Sequence, residues 1–145
     1  MNRVKARRTA FEMIFEYGFG VHSAEDILAM RRGEETELDD YSVAMLVACE
    51  NRRAEIDALI EKYAVDWTVQ RMSSVTVAVL RLAVCELLRA DDIPTAVTVN
   101  EAVELAKAYE GEECGSFVNG ILGSVVKDLP PKAADVKPEE TEAKE

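Results

Sequence analysis

Residues 77–122, VAVLRLAVCELLRADDIPTAVTVNEAVELAKAYEGEECGSFVNGIL, constrain the fold more than any other part of the chain. Their spacing predicts three consecutive helices, over Ser73–Leu88, Pro94–Tyr109 and Glu112–Asp128. The first is apolar almost all round, with Val75, Val77, Ala78, Val79, Leu80, Leu82, Ala83, Val84, Leu87 and Leu88. A helix without a polar face needs neighbours on every side, so this one is expected at the centre. The second carries the stripe Val99, Ala102, Val103, Ala106 and Tyr109; the third carries Phe117, Val118, Ile121, Leu122, Val125, Val126 and Leu129. Asp91-Asp92-Ile93-Pro94 separates the first two. The residue before a proline avoids the helical region, and proline suits a helix's first turn. Arg81 and Glu86 lie inside the apolar helix, and a buried charge must be paired. Glu86 or Glu101 is the expected partner of Arg81, in a structural ion pair.

Upstream, MNRVKARRTAFEMIFEYGF reads as a helix with Ala10, Phe11, Ile14, Phe15 and Phe19 on one face. Arg3, Lys5, Arg7 and Arg8 crowd its start. Cations at a helix N-terminus oppose the macrodipole by about 0.3–1 kcal/mol each. Either an anion is met there, or the start is solvated with Arg8 pairing Glu12. Ser23 caps a short second helix, closed by Arg31, Arg32 and Gly33. A long helix is predicted over Leu38–Tyr63, with Arg52 interrupting its stripe and either snorkelling to the surface or pairing with a buried acid. Asp66 is expected to cap a short segment ending near Met72. Trp67 is expected in the core. Ser73 or Ser74 caps the central helix, and Gly111 ends the next one. Gly120 and Gly123 are expected to admit a neighbouring helix or a ligand. One domain is expected over residues 1–129, with residues 130–145 a disordered tail rich in charge and proline.

No strand pattern competes with these helices, so the fold class is all-α. The 145 residues suit one domain. Net charge is −11, from 28 acidic and 17 basic residues, which argues against indiscriminate nucleic-acid binding and suits a basic protein partner. The cysteines Cys49, Cys85 and Cys114 are far apart, lack a CxxC pair and suit a reducing cytoplasm. His22, the lone histidine, has no visible catalytic partner. Neither a signal peptide nor a membrane span is expected. Phosphate loops, activated nucleophiles and metal-ligand clusters are missing from the sequence, so no cofactor and no enzymatic activity are expected.

LRLAVCELL, DIP, VNEAVELAK and FVNGIL, in this order and with short gaps, resemble the C-terminal half of the NusB family of bacterial transcription antitermination factors. The similarity extends through Arg71 and Trp67 to ARRTAFEMIF, covering most of residues 3–129. It implies a compact fold of about six to seven helices in two packed helical subdomains. It also implies binding of single-stranded boxA RNA together with NusE, a basic small-subunit ribosomal protein. That complex joins elongating RNA polymerase and suppresses termination, notably in ribosomal RNA transcription. Domains of this kind also precede RNA methyltransferase domains, for which this chain is too short.

Residue by residue, the resemblance assigns Arg3, Lys5, Arg7 and Arg8 to the family's RNA-binding helix start. Arg7 matches the arginine of the family's ARE, and Arg8 replaces its acid. Phe15 matches an aromatic position available to stack on a base, although it also lies on the apolar stripe. Glu113 and Ser116 fall in the RNA-facing segment before FVNG, here without its basic residue. Thr76 and Val77 stand where many members carry a charged pair on the NusE contact, and Leu80 continues that surface. Arg81, Glu86, Asn100, Glu101 and Asn119 match structural polar positions. The alternative reading is a protein-only helical adaptor, or a homodimer of the same fold, without RNA binding.

Overall fold

The computed structural model describes residues 2–34 and 38–135. Seven α-helices lie among these residues: α1 Arg3–Tyr17, α2 Ala24–Gly33, α3 Asp40–Asn51, α4 Arg53–Tyr63, α5 Ser74–Arg89, α6 Thr95–Glu110 and α7 Glu112–Asp128. Short 3₁₀ turns cover Val69–Arg71 and Ala133–Asp135. The chain is all-α, as its periodicity requires.

The apolar helix α5 is central. Every residue from Thr76 to Leu87 is buried, and α1, α3, α4, α6 and α7 all pack on it. Helices α6 and α7 form a closely packed hairpin. Gly111 joins them at φ +92°, a backbone conformation that only glycine adopts freely. Gly115 then brings the two helices together: a Cβ there would lie 2.6 Å from Lys107 Cγ. Gly120 and Gly123, expected to admit a neighbour, instead face open space among the described residues.

The long helix expected over Leu38–Tyr63 is two helices. Leu38 precedes the helical segment, and Asp39 caps α3 by accepting from the Ser42 N–H at 2.6 Å. The break falls at Arg52, whose backbone leaves the helical region at φ −115°, ψ 20°. No proline or glycine marks it, and the apolar stripe continues across it through Met45, Cys49, Ile56 and Ile60, all buried. Of the two readings of Arg52 the structure shows the first: it reaches the surface, where Nε and Nη2 bind exposed Glu55 at 3.0 and 2.9 Å.

Asp66 is not a helix cap. It takes φ +66°, and the Val69 N–H that needs an acceptor finds Glu61 Oε2 at 2.7 Å. Ser23 and Ser73 do cap α2 and α5, accepting from the Asp26 and Thr76 N–H groups.

The domain also runs past residue 129. The Ala134 N–H donates to the Asp91 carbonyl at 3.2 Å. Asp135 accepts from the Thr95 N–H at 2.8 Å and from its hydroxyl at 2.6 Å, capping α6 from 40 residues downstream. Pro94 has no side-chain oxygen for that task, so the cap comes from elsewhere in the chain. The rest of the expected tail, residues 136–145, lies outside the described residues. No described helix is long and apolar enough to cross a membrane.

The hydrogen bonds from Thr95 hold the Asp135 carboxyl below its ordinary value. Its contribution is therefore present above the ordinary carboxylate range and fades as pH falls through the lowered pKa. Asp135→Ala should cost about 0.5–1 kcal/mol at neutral pH, and thermal melts of the two proteins should converge in acid.

Candidate nucleic-acid and protein interface

Asn2 caps α1 by accepting from the Lys5 N–H at 2.8 Å, which fixes the directions of the basic residues that follow. They divide between two faces. Arg7 shares the inward face with Ala10, Phe11 and Ile14 and is 4% exposed. Its Nε donates to Glu86 Oε1 at 3.1 Å, Nη2 lies 3.0 Å from the same oxygen, and Nη1 lies 4.0 Å from Glu101. Burial lowers the pKa of this guanidinium, and the charge and hydrogen bond of Glu86, with Tyr41 and Glu101, more than offset that, so Arg7 stays charged. Arg7 is therefore an interior counter-ion, which corrects its expected place in an exposed cluster.

Arg3, Lys5 and Arg8 are exposed. The Arg3 guanidinium sits 4.4 Å from the centre of the Tyr41 ring, a cation–π contact that holds it outward. No carboxylate among the described residues lies within ion-pair distance of these three. The expected partner of Arg8, Glu12, pairs with Arg31 instead, at 3.6 Å. Val4, Arg8, Glu104 and Tyr109 line a groove of about 460 Å³ between α1 and α6.

The start of α5 differs from expectation. Thr76 and Val77 are buried, at 6% and 7% exposure, and Leu80 is fully enclosed. Thr76 borders a groove beside Trp67 and Val77 one beside Phe15, while Leu80 borders neither. The Thr76 hydroxyl is used internally, by Ser73 at 2.9 Å, Glu110 at 3.3 Å and Cys114 Sγ at 3.2 Å. Helix α5 reaches solvent only near its ends, at the cap Ser73, at Ser74 and at Arg89 in the last turn. Arg81 is also corrected. It holds Asp57 of α4 through two bonds of 2.9 Å, not Glu86 or Glu101. Arg81 and Glu86 are five residues apart, which turns them about 140° from each other on the helix. Each therefore meets a different neighbour.

Phe15 is half-buried, tilted against Phe11 at 6.1 Å and edge-on to Phe19 at 5.1 Å. It borders a groove of about 450 Å³ floored by Arg81 and Asp57. Glu113, Ser116, Asn100 and Asn119 are exposed, and Glu101 is half-buried beside Arg7.

Trp67 does not enter the core. Asp66, in the left-handed region, turns the chain outward and leaves the indole 46% exposed. Phe117 meets it edge-on at 6.3 Å, and the Arg71 guanidinium lies 5.5 Å from its ring centre. Trp67 and Arg71 are surface features that the sequence reading missed. Trp67 lies off the helical stripes between polar Asp66 and Thr68, and that was the available signal.

Burial pushes the Cys49 thiol up to about 12 and the Cys85 thiol up to about 11, so both are protonated core side chains at neutral pH. No group of metal-ligating side chains occurs among the described residues.

The family model described as the NusB family matches residues 4–127. The chain belongs to the NusB family. It is 42% identical over 130 residues to the transcription antitermination protein NusB of Acetivibrio thermocellus, covering 88% of this chain and 90% of that one. It is 38% identical over 138 residues to the protein of the same name from Rubrobacter xylanophilus, covering 95% and 99%. Among solved structures, T. maritima NusB superposes with a TM-score of 0.79 at 35% identity, covering 90% of this chain and 94% of that one. A chain from the structure of antitermination factors NusB and NusE in complex with dsRNA superposes with a TM-score of 0.75 at 27% identity, covering 89% and 100%.

In this NusB-family chain the basic residues of the helix start thus divide between the interior, where Arg7 is paired, and the surface, where Arg3, Lys5 and Arg8 lie. Breaking a buried ion pair from one side costs about 3–5 kcal/mol, whereas an exposed cation contributes little to stability. Arg7→Ala should lower the unfolding free energy by about that amount, and Arg8→Ala should leave it within about 0.5 kcal/mol. Urea unfolding followed by circular dichroism measures both.

Proposed function

We propose that this chain is a non-enzymatic transcription antitermination factor that binds boxA-type single-stranded RNA jointly with NusE, in the cytoplasm, as part of the elongating RNA polymerase complex. Family membership supports the reading, as do relatives named transcription antitermination protein NusB and a structural neighbour solved with NusE and RNA. The observation that carries it on this chain is the exposed trio Arg3, Lys5 and Arg8. These cations stand unpaired among the described residues at one end of an otherwise acidic protein. Lys5 and Arg8 are one turn apart and share a face, so both reach the same stretch of backbone phosphates.

Electrostatics then sets the affinity. Three phosphate contacts on a single strand give a salt slope of about −2, far weaker than a dedicated nucleic-acid binder shows. The net charge of −11 opposes RNA at distances within the screening length. A basic partner removes that repulsion and supplies further phosphate contacts. RNA binding is therefore weak for the chain alone and tight for the pair.

Fluorescence anisotropy of labelled boxA RNA, titrated with this protein with and without NusE at two salt concentrations, tests the reading. Tight, salt-sensitive binding should appear only with NusE. Arg8→Glu should weaken RNA binding by the pair and flatten the salt slope by about 0.7, while NusE binding is unchanged. Equal RNA affinity with and without NusE would sink the proposal.

A further inference from the structure

A cleft at the C-terminal ends of α5 and α7 contains a charge that the RNA reading leaves unused. It measures about 240 Å³, and its walls include Leu87 of α5, Val126 of α7, Leu129, Pro130, Pro131 and Lys132. Lys132 is 8% exposed. Its Nζ is closed off from solvent and has no hydrogen-bond partner among the described residues. Buried charges are ordinarily paired, and lysine ordinarily snorkels to water. The backbone holds this one in place. Two prolines before it fix their φ angles. The turn after it is tied down twice: the Ala134 N–H donates to the Asp91 carbonyl at 3.2 Å, and the Asp135 N–H donates to the Lys132 carbonyl at 3.0 Å. Asp135 also lines the cleft, but its two oxygens are engaged by the Thr95 N–H and hydroxyl at 2.8 and 2.6 Å.

The walls decide the kind of ligand. A phosphate needs several donors, and the cleft offers one. Pro130 and Pro131 have no N–H, and the N–H groups of Thr95, Ala134 and Asp135 are engaged within the fold. The Asp135 carboxylate further repels an anion of more than one charge. A single ammonium balances a single negative charge, and Leu87, Val126 and Leu129 offer only carbon. A monocarboxylate with an aliphatic body matches both parts, its head on Nζ and its body against the three apolar side chains. The cleft is smaller than sites that take drug-sized molecules, so the body is short.

We infer that this cleft binds a short-chain aliphatic monocarboxylate, with Lys132 as its counter-charge and Leu87, Val126 and Leu129 as its apolar seat. The site lies at the opposite end of α6 from the groove of Arg8 and Tyr109, so it is independent of the RNA reading. Residues 136–145 hold a second source of carboxylates, Glu139, Glu140, Glu142 and Glu145, which the experiment separates from a free ligand.

Hexanoate is the probe. Titrated into the methyl-labelled full chain, it should shift the resonances of Leu87, Val126 and Leu129 and raise the melting temperature. Hexanol, the same body without the charge, should bind about tenfold or more weakly, and inorganic phosphate should leave these resonances in place. Lys132→Met keeps the length of the side chain and removes the charge. It should melt no lower than the wild type, because an unpaired buried cation is unfavourable, and it should bind hexanoate about tenfold or more weakly. Shifts confined to other parts of the protein, equal binding of hexanoate and hexanol, or wild-type affinity in Lys132→Met would overturn the site. If that variant fails to fold, the comparison of hexanoate with hexanol on the wild-type chain decides alone. A chain carrying Glu139→Gln, Glu140→Gln, Glu142→Gln and Glu145→Gln separates the two sources. Unchanged hexanoate binding supports the free ligand. Binding that appears only in this chain assigns the site to the protein's own glutamates and overturns the inference.

Discussion

One buried carboxylate organises this fold. Glu86 is 1% exposed on a helix that is otherwise almost wholly apolar. Its Oε1 accepts from Arg7 of α1 and from the Tyr41 hydroxyl of α3, and its Oε2 accepts from Thr98 of α6. Four helices therefore meet at one ion. A carboxylate taken out of water costs several kcal/mol unless its lone pairs are satisfied, and here each neighbour supplies a donor. Burial first, and then the Glu86 charge, raise the Tyr41 pKa, so its hydroxyl remains a donor at neutral pH. Apolar packing is non-directional and would tolerate α5 rotated or shifted between its neighbours. The carboxylate is directional: only one arrangement brings Arg7, Tyr41 and Thr98 to it together.

That carboxylate also shapes the outer face of α1. By drawing Arg7 inward, Glu86 leaves Arg3, Lys5 and Arg8 as the outer basic residues of α1. Tyr41 serves both sides of the boundary, donating to Glu86 inside and offering its ring to Arg3 outside. The position of the outer cations is thus coupled to the packing of the core. On the opposite flank, the enclosure of α5 leaves Thr76, Val77 and Leu80 buried. The exposed chemistry there passes to Trp67 and Arg71, which an irregular turn holds in place.

Much of this was legible in the sequence, and what was not has physical reasons. Helices α1, α2, α5, α6 and α7 follow from apolar periodicity, from Ser23 and Ser73 as caps and from Gly111 as a stop. The break at Arg52 is invisible, because the apolar stripe keeps its phase on both sides and no glycine or proline marks it. The need for Arg81 and Glu86 to be paired is legible, but their partners are not: Asp57 and Arg7 lie in other helices, and sequence spacing is silent about which helix faces which. Exposure at the candidate site shares this limit. Arg7 and Arg8 are neighbours of the same type, and the 100° between them on the helix puts one in the core and the other in solvent. Trp67 was read from its residue type, which favours burial, whereas the backbone of Asp66 decided its place. Asp135 acts as a cap across 40 residues, beyond the reach of any local pattern.

The distance along the chain between Arg7 and Glu86 has a temporal meaning. The two are 79 residues apart, so the arginine leaves the ribosome well before its counter-ion is made. Until then α1–α4 have no α5 to close around, and Arg7 must remain hydrated with its apolar neighbours uncovered. A nascent chain of this protein consequently lacks the counter-ion of Arg7 until α5 is made, and that helix brings the apolar surface and the carboxylate together.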